Sequence, residues 1–126
     1  MNDDQHRIQV GVETAYITEQ SDPDQDRFVF AYTITISNAG DVPVQLLSRH
    51  WIITDADNDV QEVRGEGVVG EQPMIRPGEH FHYTSGAILP TPVGSMRGAY
   101  TMIDAGGHEF EAPIAAFTLA RPGALH

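Results

Sequence analysis

Residues 27–37 read RFVFAYTITIS, and the run alternates without a break. Phe28, Phe30, Tyr32, Ile34 and Ile36 fall on one face, and Val29, Ala31, Thr33, Thr35 and Ser37 on the other. Successive side chains of an extended chain point to opposite sides. A period of two in β-branched and aromatic residues therefore predicts a long strand with its aromatic face toward a core.

The same period recurs on both sides of this run. Upstream, RIQVGVETAYI sets Ile8, Val10 and Val12 against Gln9, Gly11 and Glu13. Downstream, NAGDVP is a turn, and VQLLSRHWIITD resumes the strand pattern with Leu46, Trp51 and Ile53 as bulky interior candidates. DADND reads as a hairpin turn before VQEVR. IRPGEHFHYTSG is a Pro-Gly turn followed by a strand, LPTPVG is a long proline-bearing connection, and SMRGAYTMID, AGG and HEFEAPIAAFTLA form an antiparallel pair. No segment carries a helical period. About seven strands with closely spaced turns predict an all-β chain: an antiparallel β-sandwich of the immunoglobulin or fibronectin type III kind, with a closed barrel as the alternative. Trp51 is assigned to the core, and Tyr100 is expected to pack there and anchor its hydroxyl.

The length, 126 residues, suits a single domain over 1–126, with an ordered core from about 7 to 120 and flexible termini such as the tail RPGALH. No run of about 18 apolar residues is present, so no membrane span is expected. MNDDQHR is acidic and unlike a secretory signal, and the chain has no cysteine, which excludes disulfides, zinc–thiolate sites and thiol catalysis. A cytoplasmic location is expected. Seven arginines against 18 acidic residues give a net charge of −11. Arg7, Arg27, Arg49, Arg64, Arg76, Arg97 and Arg121 are scattered, which argues against nucleic-acid and anionic-membrane partners.

One stretch, RGEGVVGEQP at 64–73, carries Gly65, Gly67 and Gly70 in the G-x-G-x-x-G spelling of a dinucleotide site. That chemistry needs a helix opening behind the glycines, whose N-terminal amides hold the pyrophosphate. Pro73, Pro77 and the turn at Gly78 forbid one, Pro90 stands where a ribose-binding acid belongs, and no Gly-Lys-Ser/Thr follows for a Walker A loop. The glycines are then backbone devices between strands, or a helix-free nest of amides for a small anion or nucleotide flanked by Arg64 and Arg76, or part of a peptide-binding loop. Glu62, Glu66, Glu71 and Glu79 oppose a polyphosphate.

Two metal readings are weaker. Asp55, Asp57, Asp59 and Glu66 match positions 1, 3, 5 and 12 of a calcium loop, but Val60 stands where that loop requires glycine and the flanks are strands. His80 and His82 share one strand face about 7 Å apart, with Phe81 and Tyr83 turned inward. Pairs of this kind chelate metals, yet Ser85, Gly86 and Ala87 replace the glutamate a cupin would add. His50 and His108 are further candidates. Ser48, Ser85 and Ser95 sit in no nucleophile elbow, and no cofactor or enzymatic activity is expected.

The block ISNAGDVPVQLLSRHWIITDADNDVQEVRGEGVVGEQPMIRPGEHFHYTSG, with GSMRGAYTM after it, resembles the ApaG (CorD) family. The elements that carry the likeness are the N-x-G turn, the LLSRHWIITD strand, V-x-G-x-G-V-V-G-x-Q-P and I-x-P-G-x-x-F-x-Y-x-S-G, over roughly Ile8 to Leu119. The resemblance implies a fibronectin type III-like sandwich, an association with cobalt resistance and magnesium efflux, a gene commonly next to a diadenosine tetraphosphate hydrolase, and reuse of the domain in eukaryotic F-box and polymerase-interacting proteins. It implies no reaction. The function expected is a binding module for another protein or a peptide. A small-anion or nucleotide sensor at residues 65–70 and a divalent-metal handling protein are the alternatives, and a homo-oligomer through edge strands stays open.

Overall fold

A computed structural model describes residues 6–124. Eight strands run in order: β1 Ile8–Tyr16, β2 Phe28–Asn38, β3 Val44–Asp55, β4 Val60–Glu66, β5 Met74–Ile75, β6 His80–Leu89, β7 Val93–Asp104 and β8 Glu109–Ala120. All seven expected strands are present, and β5 is a two-residue addition. Two single turns of 3-10 helix, Thr18–Gln20 and Pro23–Gln25, fill the β1–β2 connection. The β6–β7 connection is only Pro90, Thr91 and Pro92, shorter than LPTPVG suggests. Among the described residues no helix is long and apolar enough to cross a membrane. Of the termini expected to be flexible, residues 1–5 and 125–126 lie outside the described residues, whereas His6 and residues 121–124 are described, with the Arg121 amide donating to the Pro92 carbonyl at 2.8 Å.

The strands form two antiparallel sheets facing each other, as expected for a sandwich. One has the order β1-β2-β6, the other β4-β3-β7-β8, and β5 pairs with the start of β3. The β2 face read from the sequence is the buried one: Phe28, Phe30, Tyr32, Ile34 and Ile36 are all buried. Their neighbours across the ladder, Tyr83, Ala87 and Leu89 of β6, share that face.

The second sheet contains two breaks in alternation. Leu46 and Trp51 are both buried although they are an odd number of residues apart. Register with β7 shifts between Leu46 and Ser48, so Leu47 is an extra residue that turns the rest of β3 over. In β8 the register shifts opposite Met96 and Gly98, and Ile114 and Phe117 consequently reach the same interior. Trp51 is the centre of this core, edge-on to Tyr32, Tyr100 and Phe117 with ring centroids 5.5–6.3 Å apart.

Buried polar groups are placed where chains meet. The Asn38 side-chain amide donates to the Val42 and Ile75 carbonyls at 2.8 and 2.9 Å, and its oxygen accepts from the Gly40 amide. One side chain thus holds the end of β2, its turn and β5 together, a physical reason for the N-x-G element. Tyr100 donates to or accepts from the Tyr83 hydroxyl across the sandwich. The expected anchoring of its hydroxyl is therefore realised by a second tyrosine. Burial pushes the Tyr83 phenol up to about 12 and raises Tyr100 further, so both stay neutral at ordinary pH.

The β3–β4 and β7–β8 hairpins share one device. Asp55 Oδ1 accepts from the amides of Asp57 and Asp59, and Asp104 Oδ1 from those of Gly106 and His108. Position four of each turn, Asn58 or Gly107, takes positive φ. Asp55 is therefore spent on its own turn, a structural use of DADND.

Asp104 also receives His6 Nε2 on Oδ2 at 2.8 Å, and the His6 ring stacks on Phe110 at 3.9 Å. These contacts fasten the β1 edge to the β8 edge. The backbone amide of His108, then the His6 ring, hold the Asp104 carboxyl down at about 2, against an ordinary 3.8. A depressed carboxyl stabilises the fold fully above its ordinary value and loses that contribution as pH falls through about 2. Asp104→Asn should therefore melt below the parent at pH 7, with the gap closing between about pH 4 and pH 2. A gap that stays constant down to pH 2 would mean that the charge of Asp104 contributes nothing.

Candidate functional site

The glycine loop is built by strand pairing, not by a helix. Arg49 of β3 stands opposite Gly65 of β4. A Cβ on Gly65 would lie 2.8 Å from the Arg49 guanidinium, so the missing side chain makes room for it. The guanidinium donates through Nη1 to the carbonyls of Glu66 and Gly67 at 3.1 and 2.8 Å. Gly67 has φ of 63°, and a Cβ there would come 2.3 Å from the Glu71 carbonyl oxygen. Only glycine fits that close approach.

Residues 68–71 then close a two-residue hairpin, with reciprocal bonds between Val68 and Glu71 of 2.8 and 3.0 Å. Val69 and Gly70 both take positive φ, 43° and 82°. That is the conformation of a type I′ turn, which favours Asn-Gly. A β-branched valine is strained there. Val69→Asn should raise stability by about 1 kcal/mol, read as a higher urea midpoint at unchanged slope. A loss of stability would show that the exposed valine packs against something in the folded chain.

The amides of this loop are largely occupied. Gly67 donates to the Leu47 carbonyl at 2.8 Å, and Val68 and Glu71 donate within the hairpin. Arg64 is exposed and lies 3.7 Å from Glu62, while Arg76 begins a separate turn whose amide is held by Glu79. The five anion candidates therefore divide: Gly65, Gly67 and Gly70 share one β4-to-hairpin segment, Arg64 precedes it, and Arg76 sits beyond β5. Arg49, which the spacing did not single out, is the arginine that contacts the glycine loop. Its signal lay in pairing, not in sequence distance.

His80 and His82 lie on the outer face of β6, exposed, with ring centroids 6.2 Å apart. Phe81 and Tyr83 turn inward as expected. His50 is on β3 in the other sheet, 3.4 Å from Glu62, and His108 is in the β7–β8 turn against Asp104. Among the described residues no three His, Asp or Glu side chains come together in a way that could hold a metal ion.

The remaining feature is a seam. At the β1–β8 side the two sheets are fastened by His6. At the opposite side, β6 and β4 are both terminal strands. A cleft of about 210 Å³ opens between them, lined by Ile53, Asp59, Val60, Gln61, Ile88 and Leu89. Val60 and Ile88 there are 61% and 52% exposed, high for apolar side chains meeting at one opening.

A family model described as the ApaG domain matches residues 18–104. The chain belongs to the ApaG family. The Protein ApaG of Pseudomonas aeruginosa is 62% identical over 126 residues and all of both chains. That of Thiobacillus denitrificans is 62% identical over 121 residues, covering 96% of this chain and 95% of its own. A Bordetella pertussis protein solved by crystallography under the name ApaA is 56% identical and superimposes with a TM-score of 0.91, covering 94% of this chain and 96% of its own. None of these ApaG descriptions names a reaction. The ApaG domain match includes both the glycine loop and the β4–β6 seam.

Proposed function

We propose that this ApaG-family chain is a non-enzymatic interaction module that recruits another protein or a peptide. The observation that carries the reading is the open seam, where Val60 and Ile88 present apolar surface beside one cleft. Exposed apolar groups clustered at a concave site favour a macromolecular partner over a small polar ligand. The reuse of the domain in larger proteins, which the resemblance implies, agrees with recruitment by analogy only. The experiment is affinity capture from lysate with the parent chain and with a Val60→Glu, Ile88→Glu variant. Partners enriched by the parent and lost from the variant support the module. Identical sets of captured proteins would overturn it.

A second reading, divalent-metal handling, is favoured by the side-by-side rings of His80 and His82. Calorimetry with cobalt decides it: a saturable heat lost in His82→Ala supports direct binding, and no heat above buffer removes it. Without direct binding, the association with cobalt resistance and magnesium efflux that the resemblance implies would run through recruitment. The nucleotide reading has less support, because the Gly67 and Val68 amides already donate to carbonyls.

A further inference from the structure

The four terminal strands of the two sheets are guarded unequally. Strand β8 carries Glu109, Glu111, Pro113 and a register shift. Strand β4 carries Glu62, Arg64 and Glu66, and β1 lies against β8 under the His6 contacts. Charges, proline, bulges and covering elements are the usual means of keeping a sheet edge from pairing with another chain. Strand β6 has none of them. HFHYTSGAIL has no acid, lysine, arginine or proline, and its ladder to β2 is unbroken from Phe28–Leu89 to Ser37–His80.

Beside this bare edge lies an uncovered shelf. Val63 pairs with Trp51 and Gln61 with Ile53, so these β4 side chains point to the interior side. Trp51 is 2% exposed but Val63 is 37% exposed, and every β4 residue except Gly65 is exposed. The three-stranded sheet ends at β6, and β4 projects past it.

We infer that the edge of β6 accepts an extended segment of a partner protein as a fourth strand, with that segment lying over β4. This rests on the interaction-module reading and names its mode. Backbone groups of the added strand would pair with β6, and its alternate side chains would rest on Val63 and Ile53. Asp59 lines the cleft together with Ile88, and the chain carries −11 overall. The fitting segment therefore alternates apolar with basic residues. A second copy of this chain is the poorer occupant, because it brings another −11 to the contact.

The test uses the 15N-labelled full chain and capped ten-residue peptides alternating valine or isoleucine with lysine or arginine. The expected result is saturable binding tighter than about 1 mM, at least tenfold slower amide exchange from Thr84 to Ile88, and at least tenfold weaker binding to Val63→Arg. Val69→Arg, at the distant hairpin tip, should bind as the parent does. Backbone N-methylation of alternate peptide residues should abolish binding. Protection at β1, β4 or β8 instead of β6 overturns the edge assignment but leaves the module standing. Failure of the whole peptide series also overturns it, and the capture experiment then decides the module separately. Self-association that protects β6 would make the occupant a second copy and overturn a basic partner.

Discussion

Trp51→Ala should lower the stability of the chain by about 3–5 kcal/mol. The indole is 2% exposed and sits among three other rings, one from β2, one from β7 and one from β8. Removing it leaves a void that strands from both sheets line, and a sandwich held by ladders on either side cannot collapse to fill it. Domains of this size have total stabilities of roughly 5–15 kcal/mol, so the loss takes a large share. Trp51→Phe is the informative companion. The indole Nε1 is buried with no hydrogen-bond partner among the described residues, so phenylalanine forfeits volume but no bond. Its cost should stay near 1–2 kcal/mol. Urea unfolding followed by circular dichroism measures both, because Trp51 is the only tryptophan and its fluorescence vanishes with it. A Trp51→Ala loss under about 1 kcal/mol would contradict a central position.

Gly98→Ala should be comparably harmful, for a steric reason. Gly98 of β7 pairs with Trp51 of β3. A Cβ there would lie 2.0 Å from the His50 carbonyl oxygen and 3.2 Å from the Trp51 Cα. Both obstacles are backbone and cannot rotate aside, so the β3–β7 ladder has to spread. Overpacking of this kind costs about 1–3 kcal/mol and more when backbone must move, which places Gly98→Ala at or above the upper figure. Gly11→Ala is the control. Its Cβ meets nothing nearer than the Thr35 carbonyl at 3.9 Å, and alanine in a strand interior is favoured over glycine by about 0.5–1 kcal/mol. Thermal melting should show Gly98→Ala falling and Gly11→Ala unchanged or rising. Faster amide exchange across 49–53 and 96–100 in Gly98→Ala would locate the spread; equal melting points for the two variants would refute it.

These two residues mark where reading the chain succeeds and where it stops. Trp51 was assignable to the interior because a large aromatic in a β-patterned run has few other places to go. Nothing local distinguishes Gly98 from Gly11: each is a glycine inside an alternating run, and only the partner strand makes one irreplaceable. The same holds at the candidate site. The glycines at 65, 67 and 70 suggested a phosphate cradle by spelling, and the following prolines removed the helix that the spelling needs. That Arg49 fills the space over Gly65 depended on β3 pairing with β4.

Alternation, turn residues and the absence of a helical period determine, from the sequence by itself, the strands, the all-β class and the buried face of an unbroken strand such as β2, because side-chain direction along an extended chain is a local property. The N-x-G, V-x-G-x-G-V-V-G and P-G elements likewise place the chain among ApaG proteins. Only the tertiary structure decides which strands end a sheet. It turns β3 over at Leu47, brings His6 to Asp104 across 98 positions, and leaves β6 bare beside the projecting β4. Those outcomes follow from pairing between distant segments, where backbone hydrogen bonds are indifferent to sequence and the fit of one whole face against another selects the register.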